Sequence, residues 1–127
     1  MDRSGLGQLG EQVAADYLAA HGAQIVARNW RAKKSVHGLA GELDLVVMIG
    51  PVVVAVEVKT RAGLGYGHPL EAITAIKLRR LHQLLVAWAS ENRQLNRTRR
   101  VDAVAVLLQR RPGKPTAVTV EHRPGLT

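Results

Sequence analysis

Three residues on two neighbouring apolar segments have the types and spacing of a metal-assisted hydrolytic site. Asp44 lies in the run Gly41–Ile49, and Glu57 and Lys59 lie in the run Val52–Thr60. Mg²⁺ prefers hard oxygen ligands, usually one or two carboxylates completed by waters and substrate phosphate oxygens. Such an ion lowers the pKa of a bound water and stabilises charge on a phosphoryl oxygen. With a lysine beside it to orient the water or the phosphate, this set suits hydrolysis of phosphodiester bonds.

The two apolar runs predict a β-hairpin, because only Gly50-Pro51 separates them. If the turn centres on that dipeptide, Ile49 pairs with Val52 and the register of the whole hairpin follows. Pro51 favours an edge position or a non-standard turn.

Side-chain alternation then places the acidic residues and the lysine. Glu42 and Asp44 share one face of the first strand, and Glu57 and Lys59 share one face of the second. In the expected register Asp44 falls opposite Glu57, and Glu42 falls opposite Lys59. Directly opposed Cβ atoms lie about 5 Å apart, close enough for two carboxylates to share one ion. A slip of one residue would remove the site.

The remaining segments complete the predicted architecture. They are the helices Ser4–His21 and Leu70–Asn92, the strands Ala23–Trp30, Arg100–Leu108 and Ala117–His122, the loops Arg31–Ala40 and Ala62–Pro69, and the turn Gln109–Pro115. The order is helix, strand, hairpin, helix, strand, strand. We therefore expect one α/β domain spanning residues 1–127, with a mixed β-sheet flanked by helices.

Charge and composition indicate the class of partner. Eighteen Lys and Arg against ten Asp and Glu leave a formal charge of +8, which favours a polyanion. Phe is absent and aromatic residues make up 3% of the chain, so contacts with the phosphate backbone are expected rather than stacking on bases. No cysteine is present, which excludes thiolate metal sites, disulfides and cysteine nucleophiles. Without an apolar stretch near the roughly 20 residues of a membrane helix, or a signal pattern, we expect a cytoplasmic protein with no membrane partner.

Other patterns carry weaker indications. The GxGxxG spelling of Gly5 to Gly10 does not follow a strand, so helix packing explains it better than dinucleotide binding. The five histidines lack the close spacing of a zinc site, and His68 is interpreted as an ordinary loop residue. The segment Glu57-Val58-Lys59 also has an ordinary interpretation as the solvent face of a strand, with Glu42 and Lys59 as a weak surface ion pair.

Motifs along most of the chain resemble the YraN-type family of small bacterial proteins. They are Gly10-Glu11, Asn29-Trp30-Arg31, Gly41-Glu42-Leu43-Asp44-Leu45, Val56-Glu57-Val58-Lys59-Thr60-Arg61, Tyr66-Gly67-His68-Pro69, Glu71-Ala72-Ile73-Thr74, Lys77-Leu78-Arg79-Arg80-Leu81 and Arg100-Val101-Asp102. That family is similar in fold to archaeal Holliday-junction resolvases and belongs with the PD-(D/E)xK nucleases. The resemblance implies a restriction-endonuclease-like sheet.

The same resemblance implies roles for particular residues. Asp44, Glu57 and Lys59 would be the core catalytic positions, and Glu11 on the first helix would approach the metal site. Lys77, which opens the second long helix, would lie near the site and touch phosphate. Glu42 matches a family position, with three roles open: neighbour of the metal ligands, substrate contact or partner of Lys59.

The expected mechanism uses Mg²⁺, with Mn²⁺ as an alternative. Asp44, Glu57 and the Val58 carbonyl would hold the ion, while Arg61 and Arg80, together with the lysine of the second helix, would bind nucleic acid. The expected activity is endonucleolytic hydrolysis of DNA, duplex or branched. Symmetric cleavage of a junction would need two active sites, which leaves a homodimer open. The alternatives are a non-catalytic nucleic-acid-binding module and a protein-interaction subunit.

Overall fold

A computed structural model of the chain describes residues 3–63 and 73–127. Within those ranges the elements are α1 (Arg3–Ala20), β1 (Gln24–Arg31), α2 (Lys34–His37), β2 (Glu42–Ile49), β3 (Val52–Ala62), α3 (Ala75–Glu91), β4 (Arg99–Arg111) and β5 (Lys114–Arg123). No helix in the described part of the chain is long and apolar enough to span a membrane.

The five strands form one mixed sheet in the order β1-β2-β3-β4-β5. β3 and β4 are parallel, and the other neighbours are antiparallel. A parallel pair needs a crossover connection, which contains α3. The predicted fold class, a mixed sheet flanked by helices, is confirmed.

Both faces of the sheet are covered by apolar side chains. On one face, Ala14 and Leu18 of α1 pack with the buried strand residues Leu45, Val47, Val54, Val56 and Val104. On the other face, Leu81, Leu84 and Leu85 of α3 pack with the buried strand residues Val46, Val53, Ala55 and Val101. Because β2 and β3 are covered on both sides, they consist mainly of apolar runs, which acidic residues interrupt at the candidate site.

The predicted register of the β2–β3 hairpin is confirmed for the five residue pairs nearest the turn, and the predicted pairs Asp44–Glu57 and Glu42–Lys59 lie beyond this paired stretch. Ile49 pairs with Val52, and the pairing continues to Leu45 and Val56. Gly50 has a φ of 57°, the backbone conformation that a tight two-residue hairpin turn requires at its first position. Since β3 is the central strand of the sheet, the edge interpretation of Pro51 is wrong and the turn interpretation holds.

α1 lies unusually close to β3 at Gly10. A Cβ at this position would overlap the Thr60 side chain, so any larger residue would push the helix away from the sheet. The packing interpretation of the N-terminal glycine pattern is therefore confirmed at Gly10. The contact also fixes the distance from the sheet of Glu11, the next residue of the helix.

Three predicted boundaries differ from the structure. α3 begins at Ala75, because the Thr74 side chain accepts a hydrogen bond from the Lys77 N–H and caps the helix. The predicted helix, which began at Leu70, was therefore wrong in including residues 73–74. β4 and β5 continue through the predicted turn Gln109–Pro115, leaving only residues 112–113 to connect them. Pro115 is tolerated in β5 because an edge strand does not need its missing N–H.

Two further expectations concern the connections. The predicted loop Arg31–Ala40 contains the end of β1 and the short helix α2. The first residues of the predicted second helix and most of the glycine-rich loop, including His68, lie outside the described residues.

Candidate active site

A pocket of about 400 Å³ opens between the β2–β3 hairpin and the first turns of α3. The hairpin contributes the carboxylates of Glu42, Asp44 and Glu57 to its lining, and α3 contributes Lys77 and Arg80. The two strands therefore bring together, on the α3 face, acidic residues that are far apart in sequence.

Asp44 lies just beyond the paired part of the hairpin. Its Oδ2 atom accepts a hydrogen bond of 2.8 Å from the Val58 N–H of the neighbouring strand. This bond fixes one carboxylate oxygen of Asp44 against β3, next to Glu57.

Glu57 is held by two lysines. Its side chain is nearly buried, and its Oε1 atom lies 2.7 Å from Lys77 Nζ and 3.5 Å from Lys59 Nζ. Lys59 and Glu57 reach the same space because they are two residues apart on one strand. Lys77 reaches it from the first turn of α3, which the Thr74 cap positions.

The carboxylate of Asp44 is poorly neutralised. Burial and the neighbouring charge of Glu57 raise the pKa of Asp44 to about 7, with smaller contributions from Glu11 and Glu42. The Val58 N–H bond opposes that shift without cancelling it. A carboxyl group in this environment is protonated or strongly destabilised at neutral pH unless a cation comes close.

The two lysines of the site differ in how firmly they hold their protons. Burial lowers the pKa of Lys59, and the neighbouring Lys77 lowers it further. Burial acts in the same direction on Lys77, but its bonds to Glu57 and Lys59 outweigh it and raise the pKa of Lys77.

Glu11 lies beside the main pocket rather than in its lining. It borders a neighbouring pocket of about 220 Å³ together with Asn29. One amide nitrogen, Asn29 Nδ2, donates to Glu11 Oε2 at 2.9 Å and to Glu42 Oε1 at 3.0 Å. The structure thus brings Glu11 near the predicted catalytic residues through a bridging asparagine.

Asn29 is a residue to which the sequence assigned no role. Its φ of 49° lies in the left-handed region, which asparagine tolerates better than most residues with side chains. Its position within the Asn29-Trp30-Arg31 motif was the one available signal. Glu42, whose role the sequence left open, forms its ion pair with Arg31 at 3.0 Å rather than with Lys59.

The three predicted nucleic-acid-binding residues occupy different places. Lys77 and Arg80 line the pocket, and Arg80 Nη1 donates to the Ala40 carbonyl at 3.2 Å. Arg61 lies two residues beyond Lys59 on β3, outside the lining, and its Nη1 donates to the Thr60 carbonyl at 2.9 Å.

The described residues fit a cation that takes most of its ligands from water and substrate. No group of three or more His, Cys, Asp or Glu side chains in residues 3–63 and 73–127 is arranged to hold a metal ion. Asp44 and Glu57 nevertheless line one pocket, which matches the one or two carboxylates that Mg²⁺ uses. The raised pKa of Asp44 indicates negative charge that a cation would relieve.

The sequence patterns also gave no role to a second buried carboxylate, which does not line this pocket. Asp102 on β4 is 0% exposed and accepts hydrogen bonds from Arg100 Nε at 2.7 Å and Nη2 at 2.9 Å. Its oxygens also contact His122 Nε2 at 2.7 Å and the Gly125 N–H at 2.9 Å. Arg100 belongs to the same motif, Arg100-Val101-Asp102, but His122 and Gly125 lie 20 and 23 residues further along the chain and leave no local signal.

The fold and the pocket define a mixed α/β protein in which a hairpin and a crossover helix bring carboxylates and lysines together. Residues 10–106 match the family described as Uncharacterised protein family UPF0102, so the chain belongs to that family. The predicted resemblance to YraN-type proteins is thereby confirmed.

Relatives in several bacteria cover most of the chain. A UPF0102 protein of Renibacterium salmoninarum is 50% identical over 103 residues, covering 81% of this chain and 82% of its own. One of Arthrobacter is 48% identical over 102 residues, covering 80% and 81%. One of Beutenbergia cavernae is 44% identical over 124 residues, covering 98% and 97%.

Proposed function

We propose that this protein is a Mg²⁺-dependent endonuclease that hydrolyses phosphodiester bonds in DNA, with Mn²⁺ able to replace Mg²⁺. The observation that carries the proposal is the partly buried Asp44 carboxylate, whose pKa is raised to about 7 beside the buried Glu57, to which two lysines are paired. Such an arrangement is costly for folding alone, and strongly shifted carboxyl groups in a cleft favour a functional role.

The chain's own residues divide the work of the proposed reaction. Asp44 and Glu57, with the Val58 carbonyl, would hold the ion. Glu11 would add a further negative charge near the ion from the neighbouring pocket. When bound, the ion would lower the pKa of a water and stabilise charge on the phosphoryl oxygen. Lys59, whose pKa is lowered, orients the attacking water and steadies the charge that develops on the phosphate.

α3 supplies the groups that hold the substrate. Lys77 Nζ lies 2.7 Å from Glu57 Oε1 and would be free to contact a phosphate oxygen if Glu57 held the ion. Arg80, one helical turn further and exposed at the same pocket, binds a neighbouring phosphate. Duplex or branched DNA is the proposed partner because the chain carries a net charge of +8 and few aromatic residues. Two copies of the chain are needed only if both strands of a junction are cut symmetrically.

Cleavage of labelled DNAs tests the proposal. Linear duplex, single strand, flap and four-way junction are incubated with wild type, Asp44→Asn and Lys59→Ala in Mg²⁺, Mn²⁺ or EDTA. We expect metal-dependent cutting by wild type and a loss of about 10²- to 10⁴-fold in Lys59→Ala, the contribution typical of a positioned proton-transfer group. Asp44→Asn should abolish cutting, because it removes a ligand of the ion.

A matched control separates loss of chemistry from loss of charge. Lys34 lies exposed on α2, and Lys34→Ala removes one positive charge without touching the pocket. It should cut as wild type does. Equal cutting by wild type and Lys59→Ala, after identical purification, contradicts the assignment.

A second candidate function is a nucleic-acid-binding module without turnover. The observation that favours it is the ion pair of Lys77 and Glu57, which neutralises one of the two candidate metal ligands within the protein. Salt-sensitive DNA binding that needs no metal, without cutting by wild type of any of the four DNAs, would select this function.

A further inference from the structure

The β4–β5 hairpin extends past the end of β3. Pairing of β3 with β4 ends at Ala62 and Leu108, whereas pairing of β4 with β5 continues to Arg111 and Lys114. The hairpin tip (residues 110–115) therefore reaches beyond the strands that carry the pocket.

The hairpin tip is basic and exposed. Arg110, Arg111 and Lys114 are all exposed, and no acidic residue occurs in the sequence between Asp102 and Glu121. Within residues 3–63 and 73–127, no carboxylate forms an ion pair with any of the three. Their charge is thus available to an external anion.

The tip also has a rigid backbone. Arg111 Nε and Nη2 donate to the Pro115 carbonyl at 3.1 and 2.9 Å, which ties the two strands together. Pro112 and Pro115 restrict the backbone, and Gly113 has the φ of 68° that the turn needs. Because the backbone of the tip is already ordered, the conformational entropy lost on binding comes mainly from its side chains.

The tip lies at a defined distance from the pocket. Lys59 pairs with Ala105 on β4, and Arg111 follows six residues later on the same strand. At about 3.3 Å per residue, the tip lies roughly 20 Å beyond Lys59 along the sheet. Since phosphates repeat about every 3.4 Å along one DNA strand, that span corresponds to about six base pairs.

We infer that the hairpin tip is a second phosphate-contact surface, which binds the backbone of duplex DNA about six base pairs from the bond at the pocket. The inference rests on the proposed function, because it places the reacting phosphate at Asp44 and Glu57. Duplex DNA is favoured over single strands because the tip carries cations without an aromatic side chain on which bases stack.

Charge-matched double variants test the surface. Arg110→Gln with Lys114→Gln removes two charges from the tip and leaves the Arg111–Pro115 bond intact. Lys34→Gln with Arg93→Gln removes two exposed charges away from the tip: Lys34 is on α2, which contacts the C-terminal end of α3 through His37 and Glu91, and Arg93 follows that end. Binding of labelled 8-, 12- and 20-base-pair duplexes is measured in EDTA by fluorescence anisotropy, at a series of salt concentrations.

We expect the tip variant to lower the slope of log affinity against log salt by about 2 on the 20-base-pair duplex, because each phosphate contact contributes about 0.9. Wild type and the control variant should gain affinity between 8 and 20 base pairs, and the tip variant should gain much less. An unchanged slope, or an equal loss in the control variant, overturns the inference. DNA binding is measured without metal, so it does not depend on cleavage. If wild type cuts no DNA, the proposed function is contradicted, whereas the binding result still decides this inference.

Discussion

Partly buried Asp44 on β2 and fully buried Asp102 on β4, the two strands that flank β3, have opposite electrostatic environments. Burial by itself raises the pKa of Asp102, but hydrogen bonds from Arg100, the Gly125 N–H and His122 outweigh burial and hold that pKa below its ordinary value. Burial and Glu57 raise the pKa of Asp44 to about 7, and one backbone N–H opposes them. Burial is common to both sites, so the difference comes from their partners.

The Asp102 cluster has a structural consequence. Its bond to the Gly125 N–H brings the C-terminal segment onto β4, where the Leu126 N–H donates to the Val101 carbonyl at 2.8 Å. Leu126 packs in a small cluster with Ile73, the residue before the Thr74 cap of α3. A fully satisfied acid thus helps to hold the helix that carries Lys77, whereas Asp44 accepts one backbone hydrogen bond and forms no ion pair within residues 3–63 and 73–127.

The largest effect on stability is expected from Asp102→Asn. The substitution leaves the partly buried Arg100 without its carboxylate, and loss of one partner of a buried ion pair costs about 3–5 kcal/mol. We expect the free energy of unfolding in urea to fall by about 3 kcal/mol, with or without Mg²⁺. A loss below about 1 kcal/mol would mean that the cluster is not structural and would break the comparison.

Asp44→Asn is expected to raise the free energy of unfolding, whereas Asp102→Asn lowers it. Since the folded-state pKa of Asp44 lies above its ordinary value, ionised Asp44 destabilises the fold increasingly as pH rises from about 4 to about 7. Removal of the charge should raise the free energy of unfolding by on the order of 2 kcal/mol at pH 8 in EDTA. The gain should shrink towards zero near pH 4, and a constant gain across this range would contradict the assigned cause.

Asp102 should show the reverse pH dependence. Its lowered folded-state pKa means that its contribution to stability is present above the ordinary aspartate pKa of 3.8 and is lost as pH falls below it. The difference in unfolding free energy between wild type and Asp102→Asn should therefore narrow as pH drops from 5 towards 2. Urea titrations at matched pH values for both aspartate variants test the two dependences together.

A smaller effect is expected from the metal ion. If Asp44 and Glu57 bind Mg²⁺, an ion concentration of ten times its Kd should add about 1.4 kcal/mol to the stability of wild type. We expect Tm to rise by several degrees with Mg²⁺ or Mn²⁺, no rise for Asp44→Asn, and a rise of equal size on the weakened background of Asp102→Asn. A Tm that does not respond in wild type speaks against a metal site at Asp44.

Of the two sites compared, the one around Asp44 depends on local sequence pattern and could be predicted. A two-residue turn set the pairing of Ile49 with Val52, and strand alternation then placed Asp44, Glu57 and Lys59 on one side. Three features needed the tertiary structure: the Asn29 bridge between two acids, the contact of Asp102 with residues twenty or more positions away, and the continuation of two strands through a proline-rich segment. None of them leaves a periodic signal in the chain.

The smallest effect is expected at Asn29, which tests whether the outlying acids belong with Asp44. Asn29→Gly keeps the left-handed backbone, which glycine adopts without cost, and removes only the bonds to Glu11 and Glu42. Stability should change by less than about 1 kcal/mol. DNA cleavage should fall several-fold, because Glu11 is no longer held near the pocket, and Asn29→Asp should fall further because it adds a third negative charge beside these acids. Unchanged cleavage in both variants would confine the functional site to Asp44, Glu57 and the two lysines.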